Sequence, residues 1–207
     1  AHALLADDEG LAAVDLDGTV TGNAASLQTS GTLSGNGLAY GTNKILDLDG
    51  KYDVTVADLD FANARVQATS TAAFVELGGT EIDQLTATTT YAQKRLEFET
   101  RVQQRARELA ATGNVIFHPD HHEIHLPRLA LTAQGIEWRN VEGSEAAIQY
   151  GQNQLTIKDL RLASGDQALD VEGTLSPAGA KTAGVLEVHA RNVDLAQAEA
   201  LLLQNRG

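Results

Sequence analysis

The sequence predicts an all-β chain with a short helix at its end. The prediction rests on a period-2 alternation of apolar and polar residues, on a short phrase that recurs along the chain, and on turn-forming residues at close intervals.

The recurrent phrase reads apolar, any, apolar or Thr, any, Gly, any, apolar. It stands as Val14-Asp15-Leu16-Asp17-Gly18-Thr19-Val20 and as Leu27-Gln28-Thr29-Ser30-Gly31-Thr32-Leu33. It returns as Leu46-Asp47-Leu48-Asp49-Gly50-Lys51-Tyr52 and as Leu169-Asp170-Val171-Glu172-Gly173-Thr174-Leu175. Period 2 puts the apolar residues and the Gly on one face of a strand and the Asp, Thr and Ser residues on the wet face. A Gly weakens a strand, so its repeated use on the buried side implies a bend or a close approach to the backbone there.

A second phrase, apolar-x-x-Leu-x-apolar, spans Val56 to Phe61, Ile82 to Ala87, Leu126 to Leu131 and Ile157 to Leu162. Its three-residue step would turn the apolar side over in a flat strand. Each copy therefore predicts two short strands meeting at a corner. Turn signals include Gly35-Asn36-Gly37, Gly78-Gly79, His118-Pro119-Asp120 and Ser164-Gly165-Asp166. Such spacing fits a sandwich, a barrel or an open curved sheet.

The segment 93–111 is rich in helix formers, yet Leu96, Phe98, Thr100 and Val102 alternate, which predicts strands. At the end, Asp194 can cap a helix over 194–205 whose Leu195, Ala198, Leu201 and Leu202 form one apolar face. No boundary divides the chain, so 1–193 reads as one β-rich domain, with the helix belonging to it.

Composition narrows the function. There are 28 acids against 15 bases, a net charge of −13. That balance argues against nucleic acid, which is held by basic surfaces, and against an anionic membrane surface. Without Cys there are no disulfides, thiolate metal sites or cysteine nucleophiles. Aromatic residues make up 4% of the chain, too few to line a sugar cleft in a secreted β-solenoid enzyme or adhesin. No apolar run approaches the roughly 20 residues that span a bilayer, and no signal-peptide pattern opens the chain. It begins without Met and reads as part of a longer protein, with any membrane anchor elsewhere.

Motifs for catalysis are missing. Asp15-Leu16-Asp17-Gly18 lacks the later ligands of a calcium loop, and Gly35 to Gly41 lacks dinucleotide-loop spacing. There is no Walker lysine and no nucleophile elbow. No catalytic residue, cofactor or metal is therefore assigned. Four of the six His lie in His118-Pro119-Asp120-His121-His122-Glu123-Ile124-His125. They read as a hairpin tip with solvated side chains, against a metal site through His118, Asp120, His121 and His125. Lys94, Arg95, Arg101, Arg105 and Arg107 read as a solvated face, and Trp138 as core.

Taken together, the two phrases resemble the AsmA/TamB superfamily. The closest passage runs from Gly113 to Leu175, through Asn114-Val115-Ile116-Phe117-His118-Pro119-Asp120-His121, Ile124 to Leu131, Gly135-Ile136-Glu137-Trp138, Asp159 to Leu162 and Leu169 to Gly173. Ala190 to Leu195 is similar in style. The resemblance implies a long, curved, mostly antiparallel sheet folded as a β-taco, an open groove with a hydrophobic interior. It further implies a non-enzymatic periplasmic segment of an inner-membrane-anchored protein, linked to phospholipid transport to the outer membrane and, in TamB, to a barrel partner called TamA. The expected lining is Val14, Leu16, Gly18, Val20, Leu27, Gly31, Leu33, Leu46, Leu48, Gly50, Phe98, Leu169, Val171, Gly173 and Leu175. The competing expectation is that these residues pack on one another as a closed sandwich core.

Overall fold

The computed structural model describes residues 2–7, 10–23, 25–41, 43–77, 79–151, 154–176 and 184–193. Among them the regular structure is strand throughout, apart from one 3-10 turn at Phe61–Asn63. The chain is all-β and its paired strands are antiparallel. The expected helix over 194–205 lies outside the described residues. Contacts divide the chain into two compact units, Ala1–Arg105 and Ala106–Gly207, where the sequence reading has one β-rich domain.

The first unit is a meander of β1 (His2–Asp7), β2 (Gly10–Asn23), β3 (Ser26–Tyr40), β4 (Asn43–Ala57), β5 (Arg65–Leu77), β6 (Thr80–Ala92) and β7 (Arg95–Gln104). Each strand pairs with the next. Local chemistry makes the turns. Asn23 Oδ1 accepts from the Ala25 and Ser26 N–H groups at 2.9 and 3.3 Å, closing β2 onto β3. Gln93 and Lys94 both have positive φ, the backbone of a two-residue hairpin turn usually given to Asn-Gly. The 93–111 segment forms strands as expected, but its turn carries no turn-residue signal.

The three-residue steps behave differently from the expected pairs of short strands. In β5, Ala72 and Val75 are both buried although three positions apart, because Phe74 between them takes a left-handed φ of 51° and turns the strand over. Gly37 in β3 is also left-handed. The registers on either side bring Gly37, Leu46, Phe74 and Asp83 opposite one another. A turnover line thus crosses four strands at the Ile82–Leu85 step, while the ladder runs on through it. The Val56–Phe61 copy is a strand end instead: β4 stops at Ala57, and Asp58 and Leu59 turn with positive φ.

The second unit contains β8 (Arg107–Phe117), β9 (His121–Ala133), β10 (Ile136–Asn140), β11 (Ala146–Gly151), β12 (Gln154–Ser164), β13 (Gln167–Leu175) and β14 (Val185–Arg191). Here β10 and β11 share one lane between β9 and β12. The front of β9 pairs with β11 and its rear with β10, and β12 changes partner in the same way. The remaining three-residue steps fall at this break. The β8–β9 register shifts between Thr112 and Asn114, beside Leu126–Leu129. The β12–β13 register shifts between Ile157 and Leu160. Pro127, which has no N–H to donate, stands where β9 changes partner.

Trp138, on β10, is 1% exposed and anchors the core of this unit with Leu126, Ala133, Ala146 and Leu162. Replacing it leaves a large void. Trp138→Ala is expected to lose about 3–5 kcal/mol of stability, read by far-UV circular dichroism in urea. Val20→Ala, at a side chain 64% exposed, should stay within about 0.5 kcal/mol.

Candidate functional site

Directly opposed residues of an antiparallel pair lie on the same face, so the registers of the first unit define its two surfaces. One face carries four rows across β2 to β7. They are Val14–Gly35–Leu48–Ala72–Leu85–Val102, Leu16–Leu33–Gly50–Ser70–Ala87–Thr100, Gly18–Gly31–Tyr52–Ala68–Thr89–Phe98 and Val20–Thr29–Val54–Val66–Tyr91–Leu96. The opposite face carries rows such as Asp15–Ser34–Asp49–Thr71–Thr86–Arg101 and Asp17–Thr32–Lys51–Thr69–Thr88–Glu99. In these rows the charged residues fall on one side and the aliphatic residues on the other, while hydroxyls occur on both. Arg95–Glu97 and Arg105–Glu81 pair at 3.4 Å, with largely exposed side chains.

Most of the expected lining falls in these rows or in line with them. None of the named lining residues is buried; they are half-buried or exposed. Leu46 is the departure: it sits on the turnover line, 53% exposed, outside the rows. Leu169, Val171, Gly173 and Leu175 lie on β13 in the second unit, where a further row runs Val115–Ile124–Ile148–Ile157–Gly173–Leu186.

The glycines make room for the protein's own atoms. A Cβ at Gly18 would strike the Tyr52 hydroxyl, so that ring lies across the paired Gly18 and Gly31. Above Gly50 the Leu33 side chain sits 3.2 Å from the Cβ position. At Gly173 the close neighbour is the backbone of β14, at Val185 and Leu186.

On the polar side of the second unit, the His-rich segment forms a built cluster. The His118 N–H donates to the His121 carbonyl at 3.0 Å, closing the hairpin around Pro119 and Asp120. Residues 121, 123 and 125 then alternate onto one face of β9. Both Glu123 oxygens are engaged: Oε1 lies 3.2 Å from His121 Nε2, and Oε2 lies 3.3 Å from His125 Nε2 and 3.9 Å from His118 Nε2. The His118 and His121 rings stack with centroids 4.4 Å apart, 16° from parallel. Outside the cluster, Asp120 Oδ1 is 2.9 Å from His121 Nδ1, and Glu145 Oε1 is 3.7 Å from His125 Nδ1. Glu145 reaches this position because its N–H donates to Asp159 at 3.2 Å, at the register shift of β12. His122 points to the other face, edge-on to Phe117.

No family model, curated protein or solved structure matches this chain. The site is therefore read from its own geometry. Of the residues singled out in sequence, His118, His121 and His125 converge, while Asp120 stands behind His121 rather than among the inner donors. Glu123 takes the inner place, signalled by its alternation with His121 and His125. Glu145 had no local signal, since the lane break alone brings it close.

The hydrogen bond that His121 donates to the Asp120 carboxylate is the main cause that raises the His121 pKa above the ordinary histidine value, with Glu123 adding to it. Asp120 and Glu123 are both lowered, each chiefly by its hydrogen bond to His121. A raised folded pKa gives stability that is complete below the unfolded value and is lost as pH rises through the folded one. The lowered carboxyls contribute above their ordinary range and lose that contribution as pH falls through their folded values. The network thus contributes most at mildly acidic pH. In metal-free protein, NMR titration is expected to place His121 above a free histidine. Asp120→Asn should bring it down.

Proposed function

We propose that this chain is a non-enzymatic β-sheet segment that shelters lipid acyl chains against its apolar face, as a periplasmic part of an AsmA/TamB-like protein carrying phospholipid toward the outer membrane. The single observation behind the reading is the set of four mainly apolar rows across β2 to β7, most of their residues half-buried, opposite a face that carries the charged residues. An acyl chain of about 15 methylenes costs roughly 12 kcal/mol to place in water, at about 0.8 kcal/mol each. A continuous aliphatic surface offsets much of that cost without holding any one position tightly. Curvature of the sheet into a groove belongs to this proposal.

A second reading is supported by β14. It pairs with β13 on one side only among the described residues, and Val185, Leu186 and Val188 on it are exposed. Such an edge can add a strand from another chain, which suits an assembly module engaging an outer-membrane barrel of the TamA kind.

A photoreactive residue at Leu48 tests the first reading. In zwitterionic vesicles of phosphatidylethanolamine and phosphatidylcholine, which do not repel its acidic surface, it should capture phospholipid, while the same group at Asp49, on the polar face, should not. Equal labelling at both positions, or none at Leu48, sinks lipid sheltering. Capture of a barrel protein abolished by Val188→Pro would then favour the edge.

A further inference from the structure

The polar-face cluster is organised in a way that solvated histidines at a hairpin tip do not require. We propose that His118, His121 and Glu123 are a binding site for a divalent first-row transition metal, with zinc the ion their donors suit. One donor atom from each residue lies within 4.8 Å of the other two. Around zinc, with ligand bonds near 2.0–2.1 Å in a tetrahedron, donor atoms stand about 3.3 Å apart. The 3.2 Å from His121 Nε2 to Glu123 Oε1 matches that spacing; His118 Nε2 stands 3.9 Å from the other oxygen, Oε2, with its ring stacked on His121, so His118 must turn to complete the set. Two imidazoles and one carboxylate suit zinc rather than calcium or magnesium, which take mostly oxygen ligands.

The outer partners point the same way. Histidines that bind a metal through one ring nitrogen usually hold a carboxylate, carbonyl or water at the other. His121 turns Nε2 toward Glu123 and Nδ1 to Asp120 at 2.9 Å. His125 bridges two carboxylates likewise, Glu123 by Nε2 and Glu145 by Nδ1, and so fixes the orientation of Glu123. A neutral His121 ring would leave one nitrogen lone pair facing a carboxylate oxygen. A cation between Nε2 and Glu123 removes that repulsion, as a proton does.

The scaffold supplies the directions. The hairpin closure sets His118 against His121, the strand sets Glu123 and His125, and the lane break brings Glu145. Gly151 lies opposite His121, where a Cβ would come 2.6 Å from that of the histidine. Its bareness leaves the ring its place. Three protein donors leave a fourth position for water. The ligands lie on the opposite face of β9 from Ile124 and its apolar row, so metal and lipid would not compete for one surface.

Calorimetric titration of the chelator-treated 207-residue chain with zinc chloride at pH 7.5 tests the site. One equivalent should bind with micromolar or tighter affinity. Glu123→Gln and His121→Ala should each weaken it more than tenfold, and Asp120→Asn about tenfold. His189→Ala, on β14, should leave it unchanged. Circular dichroism checks that each variant folds, and cobalt(II) absorption of the unaltered chain, stronger than that of the aqueous ion, reports a low-coordinate protein site without a substitution. Absence of binding below millimolar zinc, affinity unaffected by Glu123→Gln in a folded variant, or a cobalt spectrum identical to the aqueous ion would each overturn the proposal.

Discussion

Antiparallel pairing sets directly opposed residues on the same side of a sheet, and this constraint organises both units of the protein. A strand that alternates in isolation has two faces only in name. Those faces become surfaces when each neighbour pairs in the register that puts apolar residues opposite apolar residues. A slip of one residue between β3 and β4 would set Leu33 beside Asp49 or Lys51 in place of Gly50, and the polar side would lose its uniformity. The whole separation of oily from wet surface depends on registers held by tight turns, among them the Asn23 turn and the Gln93–Lys94 hairpin.

Long strands accumulate a problem that short ones avoid. Over 13 to 15 residues, as in β3 to β6, the same parity need not keep facing the same environment. The protein handles this by turning strands over without ending them. In the first unit the left-handed residues Gly37 and Phe74 mark the line, and the neighbouring strands follow it. The second unit shifts register and exchanges partners, so that β9 and β12 each serve two half-strands. Both devices preserve backbone hydrogen bonding while the side-chain pattern changes phase.

The two candidate surfaces follow from that geometry. Apolar rows with small residues among them offer contact spread over many side chains, which suits a ligand recognised by its oiliness and not by its shape. The polar face of β9 is different in kind. There the hairpin and the lane break bring three histidines and three carboxylates into a local arrangement with specific directions. The glycines of the recurrent phrase lie within the apolar rows but make room first for the protein's own atoms. Gly18, Gly31 and Gly50 are covered by Tyr52 and Leu33, and Gly173 lets β14 approach, so their recurrence reflects how the sheet packs on itself.

Much of the fold was legible in the sequence because period 2 is a local property. The alternation of Val14, Leu16 and Val20, or of Leu96, Phe98 and Val102, needs no distant partner to be seen. The three-residue steps at Ile82, Leu126 and Ile157 likewise announced a change of phase within a few residues. The Gln93–Lys94 turn was not announced, since left-handed backbone there is held by the strands it joins and not by residues that favour it. Nor could local spacing distinguish Asp120 behind His121 from Glu123 inside the cluster, because that choice depends on which way each side chain leaves the hairpin. Glu145 was beyond reach altogether. It lies 20 positions from His125 in sequence, and pairing across β9, β11 and β12 alone closes that distance. Local alternation therefore decided that the chain is strand and which residues are oily. Register and lane order, set by contacts distant in sequence, decided which of them share a surface and which charged groups meet.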